Sequence, residues 1–220
     1  MGATSDSIAA SSPTKVSGLD PWQQATVFVQ SLFKDDDWVF FGGKERAVPG
    51  ENFLRAPELI DKLEQKKIAP PNFVGMNPFT GKEEPTQNGG GKTYRGKACV
   101  ARFARFLIEF ESPDKDPESG LTLRQQCAFW AAVKLPHPLQ LVSLTWSGGG
   151  SLHGLVSIPG IPDASEWERR IRGEVFPQII KPLGADPAVG DACRLTRFPG
   201  GKRDGKIQRL LFLNTPESVK

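Results

Sequence analysis

The stretch Phe103-Ala104-Arg105-Phe106-Leu107-Ile108-Glu109-Phe110-Glu111 decides how the rest of the chain is read. Its almost unbroken apolar content predicts a strand over 103–110, placed in the interior of a sheet. Side chains alternate faces along a strand, so Glu109 and Glu111, two apart, point the same way. A second pair with that spacing, Ser151 and His153, follows the glycine run 148–150. Together these segments predict a sheet that carries polar groups at one end of otherwise apolar strands.

Outward from this stretch, strands are expected over 139–146 and 152–158, joined through Ser147-Gly148-Gly149-Gly150, and over 206–213, apolar at Ile207 and from Leu210 to Leu213. Upstream, 38–41 reads as a short strand ended by Gly42-Gly43, and 73–76 as another. Helical spacing runs from Pro21 to Phe33, with Ala25, Phe28, Val29 and Leu32 apolar, and again over 57–67 and 121–134. Asp163 or Ser165 is the expected N-cap of a helix reaching about Ile180. Asp35-Asp36-Asp37 reads as a solvated acidic turn. The segment 80–97 reads as a long, basic, glycine-rich loop. Its Gly89-Gly90-Gly91-Lys92-Thr93 is like the tail of a phosphate-binding P-loop, but Thr86 stands where that pattern needs glycine, and no strand precedes it. The mixture lacks strict βαβ periodicity and any internal repeat. The expected class is therefore α/β or α+β with a partly antiparallel sheet.

At 220 residues the chain fits one large domain or two small interleaved modules. The net charge of +3 does not by itself mark a nucleic-acid binder. Clustering says more: Lys92, Arg95, Lys97, Arg102 and Arg105 form one acid-free basic group, and Lys202, Arg203, Lys206 and Arg209 a second. Cys99, Cys127 and Cys193 are odd in number and widely spaced, which indicates reduced cysteines and an intracellular, cytoplasmic setting. No apolar run approaches the roughly 20 residues of a membrane span, so no membrane partner is expected. Residues 1–18 lack a basic start and an apolar core and read as a flexible tail before a domain over 19–220.

The polar groups suggest a chemistry. Hard divalent cations take oxygen ligands, chiefly carboxylates. Two such ions can hold the attacking and leaving oxygens of an in-line displacement at phosphorus. Glu109, Glu111 and Asp186 supply carboxylates. Ser151 and His153 are hydrogen-bonding groups for a triphosphate. Arg194, Arg197, Lys202 and Arg203 are cations for that phosphate chain or for the backbone of a nucleic-acid template.

The order of these groups resembles that of the archaeo-eukaryotic primase superfamily. Its first motif, an apolar strand ending in acid-x-acid, matches Phe106-Leu107-Ile108-Glu109-Phe110-Glu111. Its second, Ser-x-His after a glycine turn, matches Ser147 to His153. Its third, a small residue and aspartate followed by spaced arginines, matches Ala185-Asp186-Pro187-Ala188-Val189 and then Arg194, Arg197 and Pro199-Gly200. The run from Arg197 to Arg203, then Gln208 and Leu210-Leu211-Phe212, looks most like the primases of mobile elements and phages. The resemblance spans roughly residues 73 to 214.

The resemblance implies two interlocked modules, an N-terminal α/β unit and an RRM-like unit, with the active site in the cleft between them. It implies a DNA primase/polymerase that joins NTPs or dNTPs on a single-stranded DNA template. It implies Glu109, Glu111 and Asp186 as catalytic ligands of two Mg2+ or Mn2+ ions, and Ser151, His153, Arg194, Arg197 and Arg203 as nucleotide-binding residues. Asp191 is the alternative third acid; its spacing to Arg197 fits the family less well. No helicase motor motif is present, so the expected unwinding partner is a helicase acting in trans or in a C-terminal region beyond Lys220. The chain departs from the family in two places. Both first-motif acids are glutamate, and Gly150 stands where many relatives carry lysine. A silent module that holds single-stranded DNA or nucleotide, and a metal-dependent phosphodiesterase, are the competing readings.

Overall fold

The computed structural model describes residues 4–86, 89–186 and 190–214. In chain order, α1 is Ser5–Ala10, α2 Pro21–Leu32, β1 Trp38–Gly42, β2 Phe53–Arg55, α3 Ala56–Glu64 and β3 Phe73–Gly75. Two very short strands follow, β4 Glu84–Pro85 and β5 Lys92–Thr93. Next come β6 Arg105–Glu109, α4 Leu123–Ala132, β7 Gln140–Trp146 and β8 Leu152–Ser157. The α5 turn Ala164–Glu166 continues as a π-helix, Trp167–Ile180. The last strands are β9 Leu195–Arg197, β10 Lys202–Arg203, β11 Lys206–Ile207 and β12 Arg209–Leu213.

The fold is α+β with antiparallel sheets. One four-stranded sheet has the order β2-β1-β3-β9 and the other β12-β7-β8-β6. Two two-stranded hairpins, β4-β5 and β10-β11, stand apart from them. Every strand ladder among the described residues is antiparallel.

The helices form where local chemistry directs them. Asp20 caps α2 by accepting from the Gln23 N–H, the Gln23 side chain accepts the Asp20 N–H in return, and Pro21 fits the first turn. Ala25, Phe28, Val29 and Leu32 then lie buried at helical spacing. Thr122 and Gln125 form the same reciprocal cap on α4. Asp163 caps α5, accepting from the Glu166 N–H at 2.9 Å.

Several expectations are corrected. The 103–110 strand is shorter, β6, and it lies at a sheet edge rather than in the interior. It is nevertheless buried from Arg105 to Ile108, because other groups cover its free edge. The Asn77 side chain donates to Arg105 O and accepts from the Ala104 and Arg105 N–H groups. At the other end the Asp186 N–H donates to Glu109 O at 2.8 Å. A capped edge needs the same apolar composition as a central strand, so composition could not separate the two.

The expected tail is partly packed: α1 buries Ile8, Val16 is also buried, and the Thr14 N–H donates to Leu213 O. Asp37 of the acidic turn is buried and holds Arg102 through both carboxylate oxygens, at 3.0 and 2.8 Å. The single final strand expected over 206–213 divides at Gln208 into β11 and β12.

The two large sheets meet through buried polar groups. Arg105 is fully buried; its Nε donates to Met76 O and its Nη1 to Leu32 O, and the guanidinium lies over the Phe33 ring. Burial pulls its pKa down to about 9. Asn77 also donates to Ala192 O, which ties β6 to the segment leading into β9.

Candidate functional site

The acid wall of the site is set by strand register. Glu109 of β6 is the direct partner of His153 of β8, so both side chains project from the same face. His153 Nε2 lies 3.2 Å from Glu109 Oε1. As the ring stands, Nε2 makes no hydrogen bond. Ser151, one step before β8, donates its hydroxyl to Glu109 Oε1 and contacts Ser147 Oγ, each at 3.1 Å. Burial alone would raise the Glu109 carboxyl. The neighbouring His153 ring, the Ser151 hydroxyl and the Arg197 charge outweigh it and hold the group at about 2. Glu109 is therefore a carboxylate throughout the physiological range.

The glycine turn before Ser151 is held from two sides. Gln126 of α4 donates to Gly150 O and accepts from the Leu152 N–H, which fixes the start of β8. The backbone of Gly148 and Gly149 is approached closely by the β10-β11 hairpin. A Cβ on Gly149 would stand 3.4 Å from Arg203 Nη1, and one on Gly148 would stand 3.3 Å from Lys206 O. A Cβ on Gly150 would come within 2.8 Å of the Ser112 Cβ, so a side chain there requires Ser112 to move.

Glu111 lies beyond the end of β6, and Lys115 pairs with it at 2.9 Å. The N–H tie between Asp186 and Glu109 O sets the Asp186 backbone beside the strand end. The rest of the third motif, 187–189, falls outside the described residues.

Of the facing cation wall, Arg197 comes from the other sheet and the other cations come from connecting segments. Arg197 of β9 lies with its guanidinium 4.2 Å from the centre of the Phe73 ring on β3. Burial and the nearby Arg203 lower its pKa, while Glu109 opposes them. Thr196 places its hydroxyl 3.5 Å from His153 Nδ1, which joins the two walls at their base. Arg194 is exposed at the rim.

These groups surround one cleft of about 550 Å³. Glu109, Glu111, His153, Asp186, Arg194 and Arg197 all line it. Ser151 does not; it is buried behind Glu109. Arg203 stands on the glycine turn, close enough to act on Arg197 but outside the lining. Asp191 lines the cleft as well, but its carboxylate also accepts from the Cys193 N–H at 3.3 Å, a local turn contact. Burial and Asp191 push the Cys193 thiol up to about 12, so it is a poor nucleophile.

Sequence reading did not single out four further lining residues: Lys44, Phe73, Arg95 and Lys115. Arg95 donates to Gly43 O at 3.0 Å and lies over the Phe40 ring, so a residue of the expected long loop is held in the wall. Its only sequence signal was membership of the first basic cluster. Lys115 and Phe73 carried no local signal.

The arrangement supplies a hard anionic wall facing a cationic one. The oxygen donors Glu109, Glu111 and Asp186 suit Mg2+ or Mn2+ in kind. As the side chains stand, no group of three or more His, Cys, Asp or Glu among the described residues is arranged to hold a metal ion. No helix of the described residues is long and apolar enough to cross a membrane. Comparison of the chain with models of protein families, with curated proteins and with solved structures finds no match in any of the three.

Proposed function

We propose that the cleft is the active site of a DNA primase/polymerase of the archaeo-eukaryotic superfamily type. In this reading it joins NTPs or dNTPs on a single-stranded DNA template, in the replication of a mobile element or phage. The finer architecture belongs to the same proposal: an α/β module and an RRM-like module enclosing the site. The observation that carries it is the opposition of Glu109, Glu111 and Asp186 to Arg194 and Arg197 across one cleft.

In the reaction, a 3′ hydroxyl oxygen attacks the α-phosphorus of the incoming nucleotide. The new O–P bond forms as the bond to pyrophosphate breaks, and the hydroxyl proton passes to solvent. Glu109, Glu111 and Asp186 would hold the two Mg2+ or Mn2+ ions. When bound, those ions supply charge neutralisation at the attacking and leaving oxygens. Arg197, stiffened by Phe73, and Arg194 at the rim meet the triphosphate. Arg203 adds positive potential from behind. His153 and Ser151 orient the Glu109 carboxylate, a role nearer to positioning than to phosphate binding. Arg95 brings a cation to the cleft that Gly150 does not provide.

The test is primer-free synthesis on a single-stranded template, with NTPs and dNTPs in separate reactions and Mg2+ or Mn2+ present. The double variant Glu109→Ala/Glu111→Ala is expected to lose at least about a thousandfold in rate. Loss of metal charge stabilisation is worth several kcal/mol, and about 1.4 kcal/mol is tenfold. Synthesis that survives the double substitution would sink the proposal.

One observation favours a second reading, a catalytically silent module that holds template or nucleotide. Glu109 is engaged by Ser151 and His153, Glu111 is engaged by Lys115, and the acids are not arranged around a metal position. Template binding without turnover under any metal condition would select it. A helicase partner, in trans or on the same polypeptide, belongs with either reading.

A further inference from the structure

The hairpin that follows Arg197 is not used by the proposed chemistry beyond Arg203. Its turn is Asp204-Gly205, both residues with positive φ, at 49° and 80°. That is the geometry of a tight two-residue hairpin. Its base is anchored: the Gly200 N–H donates to Gln208 O, the Gln208 N–H to Gly201 O, and Gln208 Nε2 to Asn72 O. Substitutions further along the hairpin therefore leave its root intact.

Register divides the hairpin into two faces. Arg203 is paired with Lys206, and Lys202 with Ile207. The Arg203–Lys206 face packs on Gly148, with both Cβ atoms 3.6 Å from where a Cβ there would stand. The Lys202–Ile207 face turns the other way. Ile207 is 43% exposed, one of only two large apolar side chains exposed among the described residues. Lys202 borders a hollow of about 350 Å³ together with Gly43, Pro70, Pro71 and Phe73. Gly43 and Phe73 also line the main cleft, so the hollow continues from the cleft towards the hairpin. Glu45, the acid in the hollow, is turned onto the Gly43 N–H at 2.6 Å. No carboxylate among the described residues pairs with Lys202.

We infer that the Lys202–Ile207 face is the lip over which single-stranded DNA passes on its way out of the cleft. The inference rests on the proposed function for the strand's presence, and on the hairpin for its path. Lys202 meets a phosphate; Ile207 and the half-exposed Pro71 meet a sugar or base. An exposed cation beside an exposed aliphatic group matches an unpaired strand, which offers phosphate and apolar base face together. A duplex offers mainly phosphate to such a surface.

The experiment measures binding of a labelled oligothymidylate by fluorescence anisotropy across a salt series, for wild type, Lys202→Ala, Ile207→Ser, the double variant and Lys206→Ala. Labelled nucleotide binding is measured in parallel. Lys202→Ala is expected to weaken oligonucleotide binding several-fold and to reduce the slope of log affinity against log salt by about 0.7, one single-strand phosphate contact. Ile207→Ser is expected to weaken it several-fold without changing that slope. Lys206→Ala, on the packed face, should change it little, and nucleotide affinity should hold throughout.

Unchanged oligonucleotide affinity in the double variant overturns the inference, as expected if the face serves a protein partner. Equal losses for Lys202→Ala and Lys206→Ala overturn it too, since bulk charge then suffices. So does duplex DNA binding as tightly as the single strand. The two proposals fail separately. Template synthesis with an indifferent hairpin removes only the lip. Hairpin-dependent oligonucleotide binding without synthesis removes only the polymerase reading and leaves the lip in place.

Discussion

The two four-stranded sheets build opposite walls of one cleft by opposite means. In β12-β7-β8-β6, a ladder position places Glu109 directly against His153, and Ser151 one diagonal step away. The geometry there is backbone geometry, and the side chains are nearly buried. In β2-β1-β3-β9 the ladder supplies only a base for Arg197, whose long side chain is steadied by stacking on Phe73. The remaining cations, Lys44, Arg95, Lys115 and Arg194, come from connecting segments. Glu109, the acid braced by Ser151 and His153, sits on register, while Glu111 and Asp186 flank it from connecting segments. Cations that must follow a flexible phosphate chain sit on stems and loops.

If the acid wall is rigid because β6 is clipped at its edge and braced from below, removing the brace should have the largest effect on stability. Arg105→Ala would leave Met76 O and Leu32 O without their donor and open a cavity against Phe33. The expected loss is about 3–5 kcal/mol, read by urea unfolding, offset in part because a buried charge is also removed. A loss below about 1 kcal/mol would mean that the two sheets do not depend on this brace.

Asn77→Ala cuts the clip itself. Four backbone groups lose a partner: the Ala104 and Arg105 N–H groups, Arg105 O and Ala192 O. We expect about 2–3 kcal/mol, less than the sum of four bonds because water can reach part of a loosened edge. Amide hydrogen exchange should rise along β6 before it rises along β1. The reverse order would break the assignment of rigidity to the acid wall.

This contrast also explains what the sequence made legible. The strands bearing the first two motifs, β6 and β8, were found from their composition, and the Ser-x-His and acid-x-acid spacings put four side chains at one end of that sheet. Those are local properties, carried by a period of two. The edge position of β6 was not legible, since Asn77 and the Asp186 backbone cover it from distant parts of the chain. β2 and β9, three residues each, were too short to show a period. Arg95 and Lys115 were invisible as site residues because the folding of connecting segments brings them to the cleft. The cap of α5 by Asp163 was legible, because a cap is a contact over three residues.

The smallest expected effect tests where the walls touch. Thr196 Oγ1 lies 3.5 Å from His153 Nδ1, a long contact at the base of the cleft. Valine has almost the same shape and the same preference for strand, so Thr196→Val removes a hydroxyl without opening a cavity. Stability should fall by less than about 1 kcal/mol. The consequence of interest lies in the ring. A hydrogen bond to one imidazole nitrogen determines which nitrogen carries the proton of the neutral form. A Thr196 hydroxyl that donates to Nδ1 keeps the proton of the neutral ring on Nε2, the nitrogen 3.2 Å from Glu109 Oε1. In the valine variant that preference weakens, and the nitrogen chemical shifts of His153 should move towards a tautomer mixture. Nucleotide incorporation should fall about threefold to tenfold, since Glu109 loses orientation and not charge. Unmoved ring shifts would show that the cation sheet supports the acid wall by packing alone. Moved shifts with full activity would show that His153 fills space beside Glu109 without orienting it.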